Sequence, residues 1–446
     1  MSRGLTFARC RQLRWYSQEK MKVIETVDEL ISNEELKHRH HPGIIKPKQV
    51  EQPEWLLKTV RTIVSEETIS PKLLHESGQR LALHLTGRHP PPEAEDINFK
   101  FQQVQARVKR APVDDTTDTT QEEELLRNPK ARRLFKELVY NWVPVQYDKY
   151  TSLAYLVNRS VPEYSVLHKI FNEIKTNDAN FTPKSLFDFG SGVGTAMWAA
   201  SQFWYKSIKE YLCVDISTEM NELSEYLSKR AKPQINLNYI FYKEFLPASA
   251  TPTSDIVVSA YSLFELPNQK SRLEVISKLW HKTEQYLIIV EQGTRAGFNI
   301  INEAREFILN YTNDASGVHV ISPCPHDSMC PRYMTDDNTP CNFELVYLSL
   351  AFFEKSAYIR ERYSYVVFKK GNRPEDDCQW PRIVRPVLKR SKHVICRLCT
   401  ASGELDEQIF TTWKSGKNTY RCARASEWGD RLPFKIEKSN STEEPE

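Results

Sequence analysis

Residues 185–200 read SLFDFGSGVGTAMWAA. Leu186, Phe187 and Phe189 around Asp188 make a short apolar run of the length and composition of a buried strand. Three glycines follow at alternate positions, Gly190, Gly192 and Gly194, and then the small and apolar residues of a helix start. Glycine adopts backbone conformations closed to other residues and lets a ligand approach the main chain. The free N–H groups at a helix start favour a negative group. Strand, glycine turn and helix in this order predict a ligand-holding turn at the carboxyl end of a strand.

Working outward, the pattern repeats. IKEYLCVDIS reads as a second strand ending in an acid, TEMNELSEYLSKRA as a helix, and LNYIFYKEF and SDIVVSAYSLFEL as strands. QKSRLEVISKLWHKT is a helix, EQYLIIVEQGT a fifth strand, GFNIINEAREFILNYT a helix, and YSYVVFKKG (363–371) a final strand that can run antiparallel. The alternation predicts an α/β fold, a mostly parallel sheet with helices on both faces. Upstream, VDELISNEELKHR and SPKLLHESGQRLALHLTGR have amphipathic helical spacing, the second entering on Ser-Pro and stopping near Gly87. RHPPPEAED and APVDDTTDTTQEEE (111–124) read as linkers.

The turn is GxGxG after an acid, not the GxGxxG of dinucleotide binders. Asp215, 25 residues beyond Gly190, closes the second strand, where it can accept hydrogen bonds from both hydroxyls of a ribose. This set resembles the S-adenosylmethionine-dependent methyltransferases and implies a Rossmann-type class I methyltransferase fold. The resemblance implies a cofactor site of Asp188, Gly190, Gly192, Gly194 and Asp215, with the methionine end over the turn and Asp188 orienting it. Asp255 is read as a strand cap. Methyl transfer needs positioning and deprotonation of the acceptor. Enzymes acting on base amines carry a polar residue and Pro-Pro-aromatic at the end of the fourth strand, and those acting on pyrimidine carbon carry cysteines near the fourth and fifth strand ends. This chain has Ser259-Ala260-Tyr261-Ser262 and VEQG there. No catalytic residue is assigned, and the fold is expected to hold its ligand without chemistry. An active methyltransferase is the alternative.

The chain has 446 residues, 40% of them hydrophobic, with mean hydropathy −0.55 and net charge +3. No apolar run reaches the ~18–20 residues of a membrane span. The first residues carry Arg3, Arg9, Arg11 and Arg14 and no acid before Glu19, which reads as a mitochondrial transit peptide over 1–16. Basic residues gather at 37–48 and at 382–397, the latter with Arg382, Arg385, Lys389, Arg390, Lys392 and Arg397 and no acid. Such stripes point to nucleic acid, here RNA. The expected divisions are an N-terminal helical region at 17–155, the methyltransferase-like domain at 156–375 with a cysteine-rich insertion at 318–346, a basic extension at 376–438 and a disordered tail at 439–446.

Of nine cysteines, Cys10 falls in the presequence and Cys213 in the second strand. SPCPHDSMCPRYMTDDNTPCNF gives C-x5-C-x10-C through Cys324, Cys330 and Cys341, and HVICRLC adds Cys396 and Cys399 beginning 55 residues beyond Cys341. Disulfides are unusual in a reducing matrix, so clustered thiols point to a metal. Zinc favours two short cysteine pairs, and only one is present. The irregular, proline-flanked spacing suits an iron–sulfur cluster at least as well. His326 is read as a polar loop residue.

With FDFGSGVGTAMWA, SAYSLFELP, VEQGTRAGF, SPCPHDSMCP, PRIVRPVLKRSKHVICRLC and YRCARASEWGD together, the chain resembles the mitochondrial small-ribosomal-subunit methyltransferase-like assembly factors over roughly 150–430. The resemblance implies S-adenosylmethionine binding, a [4Fe–4S] cluster and loss of catalysis. It also implies work in the mitochondrial matrix on the maturing small ribosomal subunit, its proteins and its rRNA, with neither DNA nor a membrane as partner. Carried over by position, the cluster ligands are Cys324, Cys330, Cys341 and Cys399, with Cys396 the close alternative to Cys399. The stretch between Cys330 and Cys341 is longer than the family pattern.

Overall fold

The computed structural model describes residues 20–108, 128–138, 142–231, 237, 239–249, 252–311, 317–335, 338–350 and 356–437. The transit peptide, the 111–124 linker and the 439–446 tail lie outside them. Two compact units are formed, one from Ile45–Cys378 and one from the two flanks, Met1–Ile44 with Gln379–Glu446.

The chain enters the flank unit through β1 (Lys20–Val23) and α1 (Glu25–Ser32). The larger unit begins with β2 (Gln49–Val50) and a helical layer, α2 (Glu54–Glu66), α3 (Pro71–Thr86), α4 (Ala94–Val108), α5 (Pro129–Leu138), α6 (Lys149–Asn158) and α7 (Ser160–Asn177). Helix α3 starts with proline at its first position, where the missing N–H costs nothing. Asp148 caps α6 by accepting from Thr151 N–H at 2.7 Å.

The α/β part follows as β3 (Ser185–Phe189), α8 (Thr195–Trp204), β4 (Glu210–Val214), α9 (Thr218–Ala231), β5 (Ile240–Lys243), β6 (Ser254–Ala260), α10 (Gln269–Lys282), β7 (Thr283–Gln292) and α11 (Arg295–Tyr311). Three further strands are β8 (Val318–Ser322), β9 (Phe343–Leu348) and β10 (Tyr358–Lys370). Strands β5-β4-β3-β6-β7 lie side by side and parallel, the doubly wound order that reverses between β3 and β6. Strand β10 runs antiparallel beside β7. The sheet is buried on both faces, which is why its strands are nearly continuous apolar runs. Phe187, Val257, Leu287, Ile289 and Phe368 pack with Trp280 of α10 and Ile300 and Ala304 of α11.

The cysteine-rich insertion sits in an unusual place. Strand β8 pairs with the end of β10, Val318↔Lys370 to Ser322↔Val367, and β9 pairs with its start, Phe343↔Tyr363 to Leu348↔Tyr358. Both strands run in the same direction along one partner. Together they form a single interrupted line along β10, β9 being covered on its other side by the parallel β2, and the cysteine-rich insertion departs at the break.

The flank unit is completed by β11 (Arg382–Ile383), β12 (Leu388–Lys389), β13 (His393–Cys399), β14 (Leu405–Thr411), the short turn α12 (Thr412–Ser415), α13 (Lys417–Ala425) and β15 (Phe434–Glu437). Strand β13 is central, with β11, β12 and β14 antiparallel to it. Strand β1 pairs with β15, and Met21, Val23, Val27 and Ile31 enter a core with Ile383, Val394, Leu398 and Phe410. The contiguous division at residue 155 is therefore corrected: residues 20–44 belong with the C-terminal extension, because their apolar side chains are buried there. No helix among the described residues is long and apolar enough to cross a membrane.

Candidate functional site

Gly190, Gly192 and Gly194 have φ of +71°, +50° and +93°, the left-handed region that favours glycine. At Gly190 a Cβ would stand 2.4 Å from Cβ of Ser262, so the turn is pressed against the end of β6. At Gly192 the nearest atom would be 3.8 Å away, on the Tyr155 ring, which leaves its main chain open to a ligand. The turn is fastened to the neighbouring strand by Gly190 N–H donating to the Val214 carbonyl at 2.7 Å.

A cavity of about 480 Å³ opens at the carboxyl ends of β3, β4, β6 and β7, beside the reversal of strand order where doubly wound sheets bind ligands. Of the expected cofactor residues, Gly190, Gly192 and Asp215 line it, whereas Asp188 and Gly194 do not. Asp188 is 2% exposed within the sheet, and burial, reinforced by Asp215, pushes its carboxyl up to about 8. Asp215 accepts from Gly192 N–H at 2.8 Å through Oδ2 and from Ser217 N–H at 2.9 Å through Oδ1. Burial still raises its carboxyl above the usual range. It braces the turn to the start of α9 and keeps further lone pairs for a ribose hydroxyl. Asp255 accepts from Lys184 N–H at 2.6 Å at the far end of the sheet, as a strand cap should.

The helical layer closes the cavity. Arg88 forms a two-point ion pair with Glu265 and donates to the Phe264 carbonyl at 3.3 Å. Trp142 Nε1 donates to the same carbonyl at 2.8 Å, and Ser217 Oγ donates to the Tyr147 carbonyl at 2.8 Å. Beneath them Glu163 receives the Tyr155 hydroxyl and faces Arg159 at 3.3 Å, and burial pushes its carboxyl up to about 7. At the end of β7, Glu291 is fully buried and pushed up by burial to about 8; Oε1 accepts from Leu263 N–H at 2.9 Å. Among the described residues Glu291 Oε2 and the Tyr261 hydroxyl have no hydrogen-bond partner. Tyr261 itself has φ +58°. The sequence could have signalled Glu291, an acid closing a parallel strand. Arg88, just past the end of α3, and Glu163, in α7, lie far along the chain from the glycine turn, and nothing local marks them.

In the insertion, burial and then the neighbouring Cys324 push the Cys330 thiol up to about 11. Cys330 accepts main-chain N–H groups of Tyr333 and Arg332, and the Arg305 guanidinium lies beside both sulfurs. Arg305 also donates to the His326 carbonyl at 3.0 Å, so His326 is a buried loop residue. The start of the loop is pinned by Arg373, which donates to both oxygens of Asp327 at 2.9 Å and to the Val320 carbonyl at 2.8 Å. Thiols with N–H donors and a cation nearby fit a soft, anionic centre. Among the described residues, however, no group of three or more His, Cys, Asp or Glu side chains is arranged to hold a metal ion. In the flank unit β13 sends Cys396 into the core with Val394 and Leu398, where burial pushes it up to about 12. Cys399 falls on the alternate set of β13.

The 382–397 run does not form one basic stripe. Arg382 is buried, Arg397 pairs with Glu407 at 2.8 Å, and Lys389, Arg390 and Lys392 stay exposed around the β12–β13 turn.

Residues 149–433 match the family described as mitochondrial small ribosomal subunit Rsm22. The chain is 35% identical over 404 residues to the "Ribosome assembly protein METTL17, mitochondrial" of Homo sapiens, spanning 89% of this chain and 86% of that protein. It is 27% identical to the "Rsm22-cox11 tandem protein 2, mitochondrial" of Schizosaccharomyces pombe, over 63% of this chain and 43% of that one. It is 23% identical to the "Ribosome assembly protein RSM22, mitochondrial" of Saccharomyces cerevisiae, over 48% of each.

Proposed function

From the premise that this chain belongs to the Rsm22 family of mitochondrial small ribosomal subunit proteins, we propose that it is a mitochondrial ribosome assembly factor. It works in the matrix on the maturing small subunit and its rRNA, and it holds S-adenosylmethionine without transferring the methyl group. The observation that carries the ligand part is the cavity at the strand-order reversal, with Gly192 open and Asp215 tied to it. Gly190, Gly192 and Asp215 touch the cofactor, and Asp188 and Gly194 shape the turn from behind. At the end of β6, where the amine-methylating signature would stand, the chain has Ser259-Ala260-Tyr261-Ser262, with the two serine hydroxyls bonded to each other at 2.8 Å.

Cys324, Cys330, Cys341 and Cys399 are the proposed ligands of a [4Fe–4S] cluster. Cys399 is preferred over Cys396 because the latter is spent in the core of its own unit. A bound cluster supplies cross-links that a loop of this length cannot make by itself. A second reading, an active rRNA methyltransferase, draws on the buried Glu291 and Tyr261 in the cavity wall, which are placed as a base and a hydroxyl.

The test is anaerobic purification with an absorbance spectrum and metal analysis, followed by small-subunit association of the native chain and of the Cys324→Ser/Cys330→Ser variant. The expected result is about four irons per chain, lost in the variant together with association. Unchanged association would separate the cluster from the assembly role, and zinc without colour would replace it. Transfer of labelled methyl to small-subunit rRNA by the native chain but not by Glu291→Gln would establish the second reading.

A further inference from the structure

The flank unit bears a surface that neither the cavity nor the cysteines explain. Helix α13 sets Lys417, Arg421 and Arg424 at spacings of four and three residues, on one helical face about 10 Å long. The turn at His38–His40 packs on this helix, with His38 Nε2 3.2 Å from Asn418 Oδ1, and adds Lys37 and Arg39. A groove of about 740 Å³ runs between them, lined by Lys37, His38, Lys417 and Arg421, and a shallower extension takes in Arg39 and Arg424. Asp28 and Glu34 also line the groove, and Asp28 is engaged by Asn418 Nδ2 at 3.0 Å.

The cations are not consumed by the fold. Lys37, Arg39, Lys417 and Arg421 are exposed, and their side chains meet no acid or other acceptor among the described residues. Arg424 instead donates to the Arg390 carbonyl at 2.6 Å, which ties the β12–β13 turn, with exposed Lys389 and Lys392, to the same end of the helix.

At the other end stands Trp413, 96% exposed on α12, two residues before Ser415, which lines the groove. A free indole face beside a row of unpaired cations is the arrangement that holds single-stranded nucleic acid: bases stack and phosphates pair. A duplex would offer the phosphates but hide the base faces. An acidic polypeptide would use the cations and leave the indole in water.

We propose that this groove holds an unpaired RNA segment, its phosphates against Lys37, Arg39, Lys417 and Arg421 and one base stacked on Trp413. This deepens the proposed function, resting on it only for the choice of RNA over DNA.

The experiment uses the full chain and a short labelled oligouridine, with affinity measured across a range of salt. Trp413→Ala weakens binding about tenfold, and Trp413→Phe restores most of it. Combining Arg39→Gln, Lys417→Gln and Arg421→Gln lowers the slope of log affinity against log salt by about 2, from ~0.7 per phosphate contact. Circular dichroism of these exposed-site variants stays native. Native-like binding by both sets of variants would overturn the groove while leaving RNA contact elsewhere intact. Binding of a duplex as tight as that of the oligouridine, or displacement by oligoglutamate as effective as by RNA, would overturn the ligand. No binding of the native chain to RNA at all would remove the RNA part of the proposed function as well.

Discussion

Asp188 shows how one residue can serve a site it does not line. It is buried in β3 directly before the glycine turn, and its carboxyl is raised to about 8 by burial, with Asp215 adding to the effect. In the unfolded chain it ionises near the usual aspartate value, about 3.9. Between these two values the native state holds a proton that the unfolded state has released. Stability from this group is therefore full below about pH 4 and falls as pH rises to about 8, by up to about 1.4 kcal/mol per pH unit. Replacing Asp188 with Asn removes that loss. The expected outcome is a shallower fall in unfolding free energy between pH 5 and 8 than in the native chain, measured by denaturant titration at each pH. An identical pH profile would place the proton on another group. Glu163 and Glu291, raised to about 7 and about 8 by burial, add falls of the same sign that the substitution leaves in place.

At the scale of elements, the interrupted line of β8 and β9 along β10 carries the cysteine loop, and Arg373 holds the start of that loop. Its side chain is 14% exposed and binds a carboxylate and a main-chain carbonyl at once. Arg373→Ala is expected to cost about 2–3 kcal/mol and to speed hydrogen exchange at 320–330 while β3–β7 stay protected. Arg360→Ala, on a side chain 74% exposed, should cost under ~1 kcal/mol. Equal protection of the loop in both variants would deny Arg373 this role. The central strands were legible because each is an apolar run closed by a polar residue or glycine, as in LFDFG and YLCVD. Strands β8 and β9 were not: FELVYL alternates weakly, and the loop between them hides that they share one partner. The glycine turn was legible as a ligand site, but of its buried partners Glu163 comes from a helix whose periodicity gives only its packing face, and Arg88 from the irregular stretch after α3, which has no periodicity to read. Spacing left Cys396 and Cys399 equivalent; the two-residue period of β13, once its core face is known, separates them.

At the scale of the whole molecule, the larger unit is one continuous stretch and the flank unit is assembled from both sides of it. A chain lacking residues up to Ile31 loses β1, α1 and four core side chains, each worth roughly 1.5–3 kcal/mol when buried. Such a truncation is expected to leave 45–378 protected from exchange and to unfold 379–437, as read by mass-resolved hydrogen exchange. Protection of 379–437 in the truncated chain would show that the C-terminal strands stand alone. The pairing was invisible to sequence reading because nothing local in KMKV announces a partner such as FKIE so far along the chain. The same pairing imposes a timetable. Glu25 meets Lys435 across 410 residues, so at ordinary rates of synthesis, 5–20 residues per second, β1 and α1 spend about 20 to 80 s without the strands they will cover. The larger unit has all its residues before they arrive. During that interval the newborn protein shows an apolar stripe of Val23, Val27 and Ile31 that the finished one conceals.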